Sequence, residues 1–275
     1  MDFGRSSYLG YSKLYWLPLG YDVGSRMNEA MKIIEKDGVR FENPVVVEGL
    51  PDIGLVGAIA ASHIVETLGL YEVAHFESDL FPPIMVMHRG VLTDPVRILG
   101  NEKILVVTSE IAIPPSAIYP LASVLVDWLS SKGAKLVFSL TGFPEQNRLE
   151  VDKPMVFGVG NISQAVDLLK EYKVETMEEG FIAGIYALIM KYCMIKKIPA
   201  ITLMAQSFPN YPDPGAAASV LQVLNKMIGL NISVDQLLEK ADEIKIKGRD
   251  LMKQTRSSME RIGKVSEQEI PLMYR

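Results

Sequence analysis

Cysteine, histidine and excess basic charge are scarce in this 275-residue chain, and each shortage excludes a class of protein. Cys193 is the only cysteine, so an intramolecular disulfide and a multi-cysteine metal site are both impossible. The 28 Lys and Arg against 33 Asp and Glu give a net charge of −5, which argues against a nucleic-acid binder that neutralises phosphates broadly. No apolar run approaches the roughly 18–20 residues that cross a bilayer. We therefore expect a cytoplasmic protein that binds neither nucleic acid nor membrane.

Motifs for metal, nucleotide or nucleophile chemistry are also missing. His63, His75 and His88 show no metal-ligand spacing, and no G-x-S-x-G elbow or Walker loop occurs. The glycine-rich turn from Gly49 to Gly57 follows a predicted strand and precedes a helix. It either holds a phosphate or allows close packing of the helix on the sheet, with Asp52 as a helix cap. We predict no catalytic residue, no cofactor and no metal, and hence no enzyme.

Short β-branched runs alternate with helical segments along the middle of the chain. Apolar strands are predicted around Val46, Ile104, Phe138 and Leu203, each followed by a helix or a long crossover. This order predicts an α/β fold of three layers, in which helices flank a central, largely parallel or mixed sheet. Apolar residues also predict a helix over Phe181–Ile195.

Composition divides the chain into four segments. Residues 1–26 are glycine- and tyrosine-rich and indicate an N-terminal arm, unless Met27 is the true start. Residues 27–232 form the predicted α/β core, which opens with a short helix over Asn28–Asp37. Residues 233–263 form a C-terminal helix whose apolar face packs either on its own core or on another subunit. Residues 264–275 are polar and typical of a flexible tail.

Two short segments carry candidate binding residues. Residues 211–215, Tyr-Pro-Asp-Pro-Gly, follow a predicted strand at the place where α/β sheets bind ligands. A small-molecule pocket in this loop is therefore one hypothesis. The final residues Met273, Tyr274 and Arg275 combine an apolar side chain, an aromatic ring and the α-carboxylate. Such a tail can enter a pocket and accept a charge-assisted hydrogen bond from a lysine, which predicts a partner-binding site.

Three blocks of sequence resemble the proteasome assembly chaperone family, specifically its second member and the archaeal homologues. The first block is Val45-Val-Val-Glu-Gly-Leu-Pro-Asp-Ile-Gly-Leu-Val-Gly57. Gly180-Phe-Ile-Ala-Gly184 and Tyr211-Pro-Asp-Pro-Gly-Ala-Ala217 are similar to later parts of the same pattern. The resemblance covers about residues 40–240.

The resemblance implies a nucleoside phosphorylase-like fold and a role without catalysis. It implies binding to the α-subunits of the proteasome core particle, with Met273, Tyr274 and Arg275 as the hydrophobic–tyrosine–any motif that inserts between neighbouring subunits. Because no Walker motif is present, such a chaperone or regulator would act without ATP. One tail binds weakly, so we also expect a homo-oligomer. The alternative is a small-ligand-binding protein or phosphorylase-like enzyme, with His88, Arg89 and Arg97 as candidate phosphate ligands.

Overall fold

The computed structural model describes residues 30–264, which form one α/β body. Its strands, in chain order, are β1 (Lys32–Glu35), β2 (Val45–Gly49), β3 (Tyr71–Glu77), β4 (Val86–His88), β5 (Val91–Thr93), β6 (Val96–Gly100), β7 (Ile104–Ser109), β8 (Leu136–Pro144), β9 (Val156–Gly160), β10 (Glu175–Thr176) and β11 (Ala200–Ser207). Its helices are α1 (Val56–Leu68), α2 (Ile118–Ser131), α3 (Ser163–Glu171), α4 (Ile185–Ile195), α5 (Pro214–Ile228), α6 (Asp235–Glu239) and α7 (Ala241–Arg261).

Nine of these strands form one mixed sheet in the order β1-β3-β6-β7-β2-β8-β11-β9-β10. Strands β7, β2, β8 and β11 run parallel, and their carboxyl ends share one edge. Strands β6, β3 and β1 extend the sheet with antiparallel pairs, and β9 lies antiparallel to β11. Strands β4 and β5 form a separate hairpin. The predicted three-layer α/β fold with a mixed sheet is confirmed.

The central strands are apolar on both faces because helices cover both. Val47 and Val106 face a cluster formed with α1, α3 and α5. Val46 and Val107 point the other way and pack with α2 and α4. A strand buried on both sides loses the alternation of polar and apolar residues, which explains the continuous β-branched runs in the sequence.

Glycines bring α1 unusually close to the sheet. A Cβ atom at Gly57 would lie 2.0 Å from the Leu140 carbonyl oxygen, and one at Gly49 would lie 2.3 Å from the Gly57 carbonyl oxygen. Both obstacles are backbone atoms, which cannot rotate away. Of the two roles predicted for the glycine-rich turn, this geometry supports close packing of the helix on the sheet.

Two predicted helices differ from the structure. The segment Asn28–Asp37 contains strand β1 instead of a helix, because Lys32–Glu35 pairs with β3 as the edge strand of the sheet and Ile33 packs on the core. Helix α4 begins at Ile185 rather than Phe181. Gly184 has φ 80° and ψ −152°, a conformation that cannot continue a helix, and Phe181 is exposed.

Helix α7 lies across the carboxyl edge of the sheet. Its Gly248 approaches Pro212 and Leu55, which belong to loops that follow β11 and β2. Met252 and Met259 are buried in the cluster that covers the α1 face. The apolar face of the C-terminal helix therefore packs on the core of its own chain.

We predict that Gly57→Ala destabilises the fold by about 1–3 kcal/mol, because the new methyl group would have to push α1 away from Leu140. Urea denaturation measures the change. Ser62→Ala, at an exposed position of the same helix, is the control and should leave stability within about 0.5 kcal/mol of wild type. Equal stability of the two variants would contradict the packing role of Gly57.

Candidate functional site

A buried polar cluster lies where the C-terminal helix ends, and it consists of Glu48, Asp52, Thr141, Tyr186 and Lys264. The sequence brings these residues from β2, the turn after it, β8, α4 and the end of the described chain. We call it the tail-root cluster, because Lys264 directly precedes residues 265–275. It joins segments up to 212 positions apart in the sequence.

Asp52 holds the cluster together. Its Oδ2 atom accepts a hydrogen bond from the Thr141 hydroxyl at 2.7 Å and another from the Lys264 ammonium at 2.6 Å. The expectation that Asp52 caps the following helix is wrong, since its side chain makes no capping bond. A buried carboxylate needs a cation and hydrogen-bond donors, and Thr141 and Lys264 supply both.

The ring of Tyr186 packs against the Lys264 side chain. The Lys264 Nζ atom lies 5.2 Å from the centroid of the Tyr186 ring, within the range of a cation–π contact. The Tyr186 hydroxyl donates to the Leu50 carbonyl oxygen at 2.8 Å. Burial, with the nearby Glu48 and Asp52 charges, raises the pKa of the Tyr186 hydroxyl well above its ordinary value. The ring is therefore neutral and fixed.

Glu48 is a buried carboxyl group on β2. Its Oε1 atom accepts from the Leu50 N–H at 2.9 Å, while Oε2 finds no hydrogen-bond partner within residues 30–264. Burial raises the pKa of Glu48 to about 8, against the opposing effect of the Leu50 N–H. Glu48 is therefore mostly protonated at neutral pH, and Asp52 is left as the carboxylate that pairs with Lys264.

The cavity beside this cluster is too small for a substrate. It measures about 30 Å³ and is lined by Asp52, Tyr186 and Lys264 together with Met259 and Ile262 of the C-terminal segment. That volume equals roughly one water molecule. Helix α7 thus closes the carboxyl edge of the sheet, where open α/β folds bind ligands. At this cluster the arrangement anchors a chain segment and leaves no space for a reacting molecule.

The other candidate residues are held by structural contacts. His63 bonds the Ser233 carbonyl oxygen at 2.7 Å. Glu110 binds both His88 and Arg97, so two of the three candidate phosphate ligands already have an acidic partner. Cys193 is buried, and burial raises the pKa of its thiol to about 12, which leaves it an inert core residue.

The loop over residues 211–215 connects the start of α5 to the segment around Arg148. Asp213 accepts from the Ala216 N–H at 3.0 Å and so caps α5. The same carboxylate pairs with the buried guanidinium of Arg148, at 2.8 and 3.1 Å. Sequence reasoning missed Arg148, which lies 65 positions away and outside any motif. The polar groups of Asp213, which a small-molecule pocket would need, are committed to these bonds.

The predicted site residues Met273, Tyr274 and Arg275 lie outside the described residues. Lys264 fixes the point from which the segment that carries them starts. Tyr274 lies ten positions after Lys264 in the sequence, and an extended chain of ten residues spans at most about 33–36 Å. Within the described part of the chain, no group of three or more His, Cys, Asp or Glu residues could hold a metal ion. None of the helices there is long and apolar enough to cross a membrane.

A family model described as the PAC2 family matches residues 46–252. The chain belongs to the PAC2 family. This result confirms the resemblance to proteasome assembly chaperones that the three sequence blocks indicated. The match includes Glu48, Asp52, Thr141 and Tyr186 and ends before Lys264.

Individual relatives show the same likeness. The uncharacterised protein MJ0106 of Methanocaldococcus jannaschii is 35% identical over 228 residues, which cover 83% of this chain and 93% of that protein. The crystal structure of Pyrococcus furiosus PbaA, described as an archaeal homolog of proteasome-assembly chaperone, has a TM-score of 0.78 at 29% identity, covering 83% of this chain and 99% of PbaA. PbaB of the same organism, described as an archaeal proteasome activator, has a TM-score of 0.68 at 23% identity over 81% of this chain and 98% of its own, and shares the fold.

We predict that Lys264→Met loosens the last turn of the PAC2-family body, because it removes a charge-assisted bond of roughly 1.5–3 kcal/mol. Amide hydrogen exchange should show a ten- to hundredfold loss of protection for the Lys264 amide, which bonds the Met259 carbonyl oxygen. Lys253→Met, at an exposed position on the same helix, should leave protection unchanged. The anchor role is contradicted if both variants exchange at the wild-type rate.

Glu48 should make the protein less stable as pH rises. Its pKa is higher in the folded state (about 8) than the reference value of 4.5, so its contribution is fully present below pH 4.5 and is lost up to pH 8. The expected loss is roughly 3–5 kcal/mol. Denaturation of Glu48→Gln at pH 5, 7 and 8.5 should lack this trend, whereas the exposed control Glu171→Gln should retain it. An identical pH profile for wild type and Glu48→Gln would show that Glu48 is ionised when folded.

Proposed function

We propose that this protein is an ATP-independent assembly chaperone or regulator of the proteasome, and that Met273, Tyr274 and Arg275 bind α-subunits of the core particle. Membership of the PAC2 family and the likeness to PbaA support the chaperone role. The observation that carries the proposal furthest is the Asp52–Lys264 bond at the closed edge of the sheet. The residues that would form a ligand site in an open α/β fold here anchor the start of the tail.

The tail has the chemistry of a peptide that enters a pocket between two subunits. Burial of the Tyr274 side chain contributes roughly 1.5–3 kcal/mol, and a charge-assisted bond between the Arg275 carboxylate and a lysine contributes a similar amount. Ordering the tail and losing translational freedom cost several kcal/mol. A single tail then binds in the micromolar range or more weakly.

Several tails on one assembly overcome this weakness. A homo-oligomer that meets a ring with several equivalent pockets gains about a hundredfold or more from avidity, without any new contact. We therefore expect this protein to act as a homo-oligomer in the cytoplasm, with its C-terminal segments available to the ring. Because it carries no Walker motif, binding energy alone drives its action.

Substitution of Tyr274 tests the proposal. Tyr274→Ala should reduce capture of proteasome α-rings at least tenfold, since it removes most of the buried area of the tail. Arg275→Ala is the matched control and should retain capture, because the final position contributes through its backbone carboxylate. A pull-down with purified α-rings measures both.

Undiminished capture by Tyr274→Ala, or by a chain that lacks residues 273–275, would contradict the role of the tail. The material that wild-type protein captures adds a second result. Recovery of half-built α-rings supports an assembly role, and recovery of complete core particles supports a regulatory one.

A further inference from the structure

The hairpin of β4 and β5 presents an apolar face to solvent, which we call the outer face. Met87 and Leu92 are cross-strand partners on this face and are 67% and 60% exposed. His88 lies on the opposite face and bonds Glu110 at 2.8 Å, so the hairpin is held in place on the body. Two strands of three residues are too short to be stable in water by their own contacts. Within residues 30–264, the outer face is therefore a fixed apolar surface without a covering layer.

The described chain begins beside this hairpin. Strand β1 pairs antiparallel with β3, and Lys32 lies opposite Glu77, so the start of β1 is next to the end of β3. The Ser78 hydroxyl donates a hydrogen bond to the Ala30 carbonyl oxygen at 2.5 Å, which continues this contact beyond both strands. Strand β4 begins eight positions after Ser78, and residues 1–29 precede Ala30. The N-terminal segment and the hairpin are therefore connected to the body at the same place.

Residues 1–29 carry the apolar groups that could cover such a face. They contain six of the chain's 22 aromatic residues, which are Phe3, Tyr8, Tyr11, Tyr15, Trp16 and Tyr21. The longest apolar run among them is Leu14-Tyr-Trp-Leu-Pro-Leu19. Thioether groups such as that of Met87 make favourable contacts with aromatic rings. The run and the outer face are therefore chemically matched.

The length of the connection allows the two to meet. Met87 lies nine positions after Ser78, so the two residues are at most about 30–32 Å apart. Leu19 lies eleven positions before Ala30, and an extended chain of that length spans about 36–40 Å. A short tether also raises the effective concentration of a segment at a surface of its own chain into the millimolar range. The hairpin of the same chain is therefore the favoured surface for this run.

We propose that the segment Leu14–Leu19 packs on the outer face of the β4–β5 hairpin in its own chain. The Trp16 ring lies against the Met87 thioether, and the neighbouring apolar side chains cover the rest of the face. Because Pro18 has no N–H, the segment attaches through its side chains and not as a further hydrogen-bonded strand. The contact stabilises the hairpin and shields an apolar surface that would otherwise attract other proteins. The inference depends neither on the C-terminal tail nor on the proteasome.

Tryptophan fluorescence tests this contact. The chain has only two tryptophans, and Trp128 is buried in the core, so the emission lost in Trp16→Phe reports Trp16. Met87→Glu should increase acrylamide quenching of this component about threefold, because the ring returns to water. Its far-UV circular dichroism should match wild type, since Met87 is exposed. Leu149→Glu, at an 89% exposed position elsewhere, is the control and should leave the quenching unchanged.

A disulfide identifies whose hairpin receives the segment. Cys193 is buried and inert, so new cysteines report alone. A chain with both Leu17→Cys and Met87→Cys should form a disulfide within one chain under mild oxidation. When isotope-labelled and unlabelled copies are mixed, mass spectrometry should find no linked peptides that combine the two. The pair Leu17→Cys and Leu149→Cys is the control and should link about tenfold more slowly, because no contact raises its effective concentration.

Three results would overturn this proposal. Equal quenching of Trp16 in wild type and in Met87→Glu would mean that the run does not lie on the outer face. Disulfides between labelled and unlabelled copies would mean that the segment of a second copy covers the hairpin. Shielding of Trp16 that appears only after α-rings are added would mean that the segment binds a partner protein instead.

Discussion

The bond between Asp52 and Lys264 closes the structure at its carboxyl edge. It connects the turn after the first core strand to the end of the last helix, across 212 positions of sequence. A buried ion pair contributes little net stability by itself, because both charges lose their hydration. Its stronger effect is on geometry. Together with the Thr141 hydroxyl and the Tyr186 ring, it holds Lys264 in one position. The C-terminal tail therefore starts from a fixed point.

This closure fills the part of the sheet edge next to Asp52 with a segment of the chain itself. Strands β7, β2, β8 and β11 end at one edge, which is the usual ligand site of such sheets. Helix α7 lies across that edge, and the cavity beside Asp52 and Lys264 is about the size of one water. The polar residues that remain below it, Glu48 and Asp52, are a protonated acid and an ion-paired one. These residues hold Lys264, the last described residue before the C-terminal tail.

Local sequence signals predicted the parts of the structure that depend on neighbours in the chain. The β-branched runs located the core strands, and the glycine-rich turn indicated the close packing of α1. Sequence reasoning failed where distant contacts decide. Strand β1 forms because an edge partner is available, and the short spacing of Met31 and Ile34 fits a helix equally well. The side-chain partners Thr141, Lys264 and Arg148 of Asp52 and Asp213 lie 65 to 212 positions away in the sequence. Contacts over such separations produce no periodic pattern from which the sequence could predict them.

The central claim is that a tail anchored at Lys264 presents Tyr274 to the proteasome. Electron cryomicroscopy of this protein bound to a proteasome core particle or to an α-ring tests it most directly. The account predicts density for Tyr274 in a cleft between neighbouring α-subunits, with Lys264 still bonded to Asp52. A complex in which only the α/β body touches the ring, and every such cleft lacks density for the tail, would contradict it.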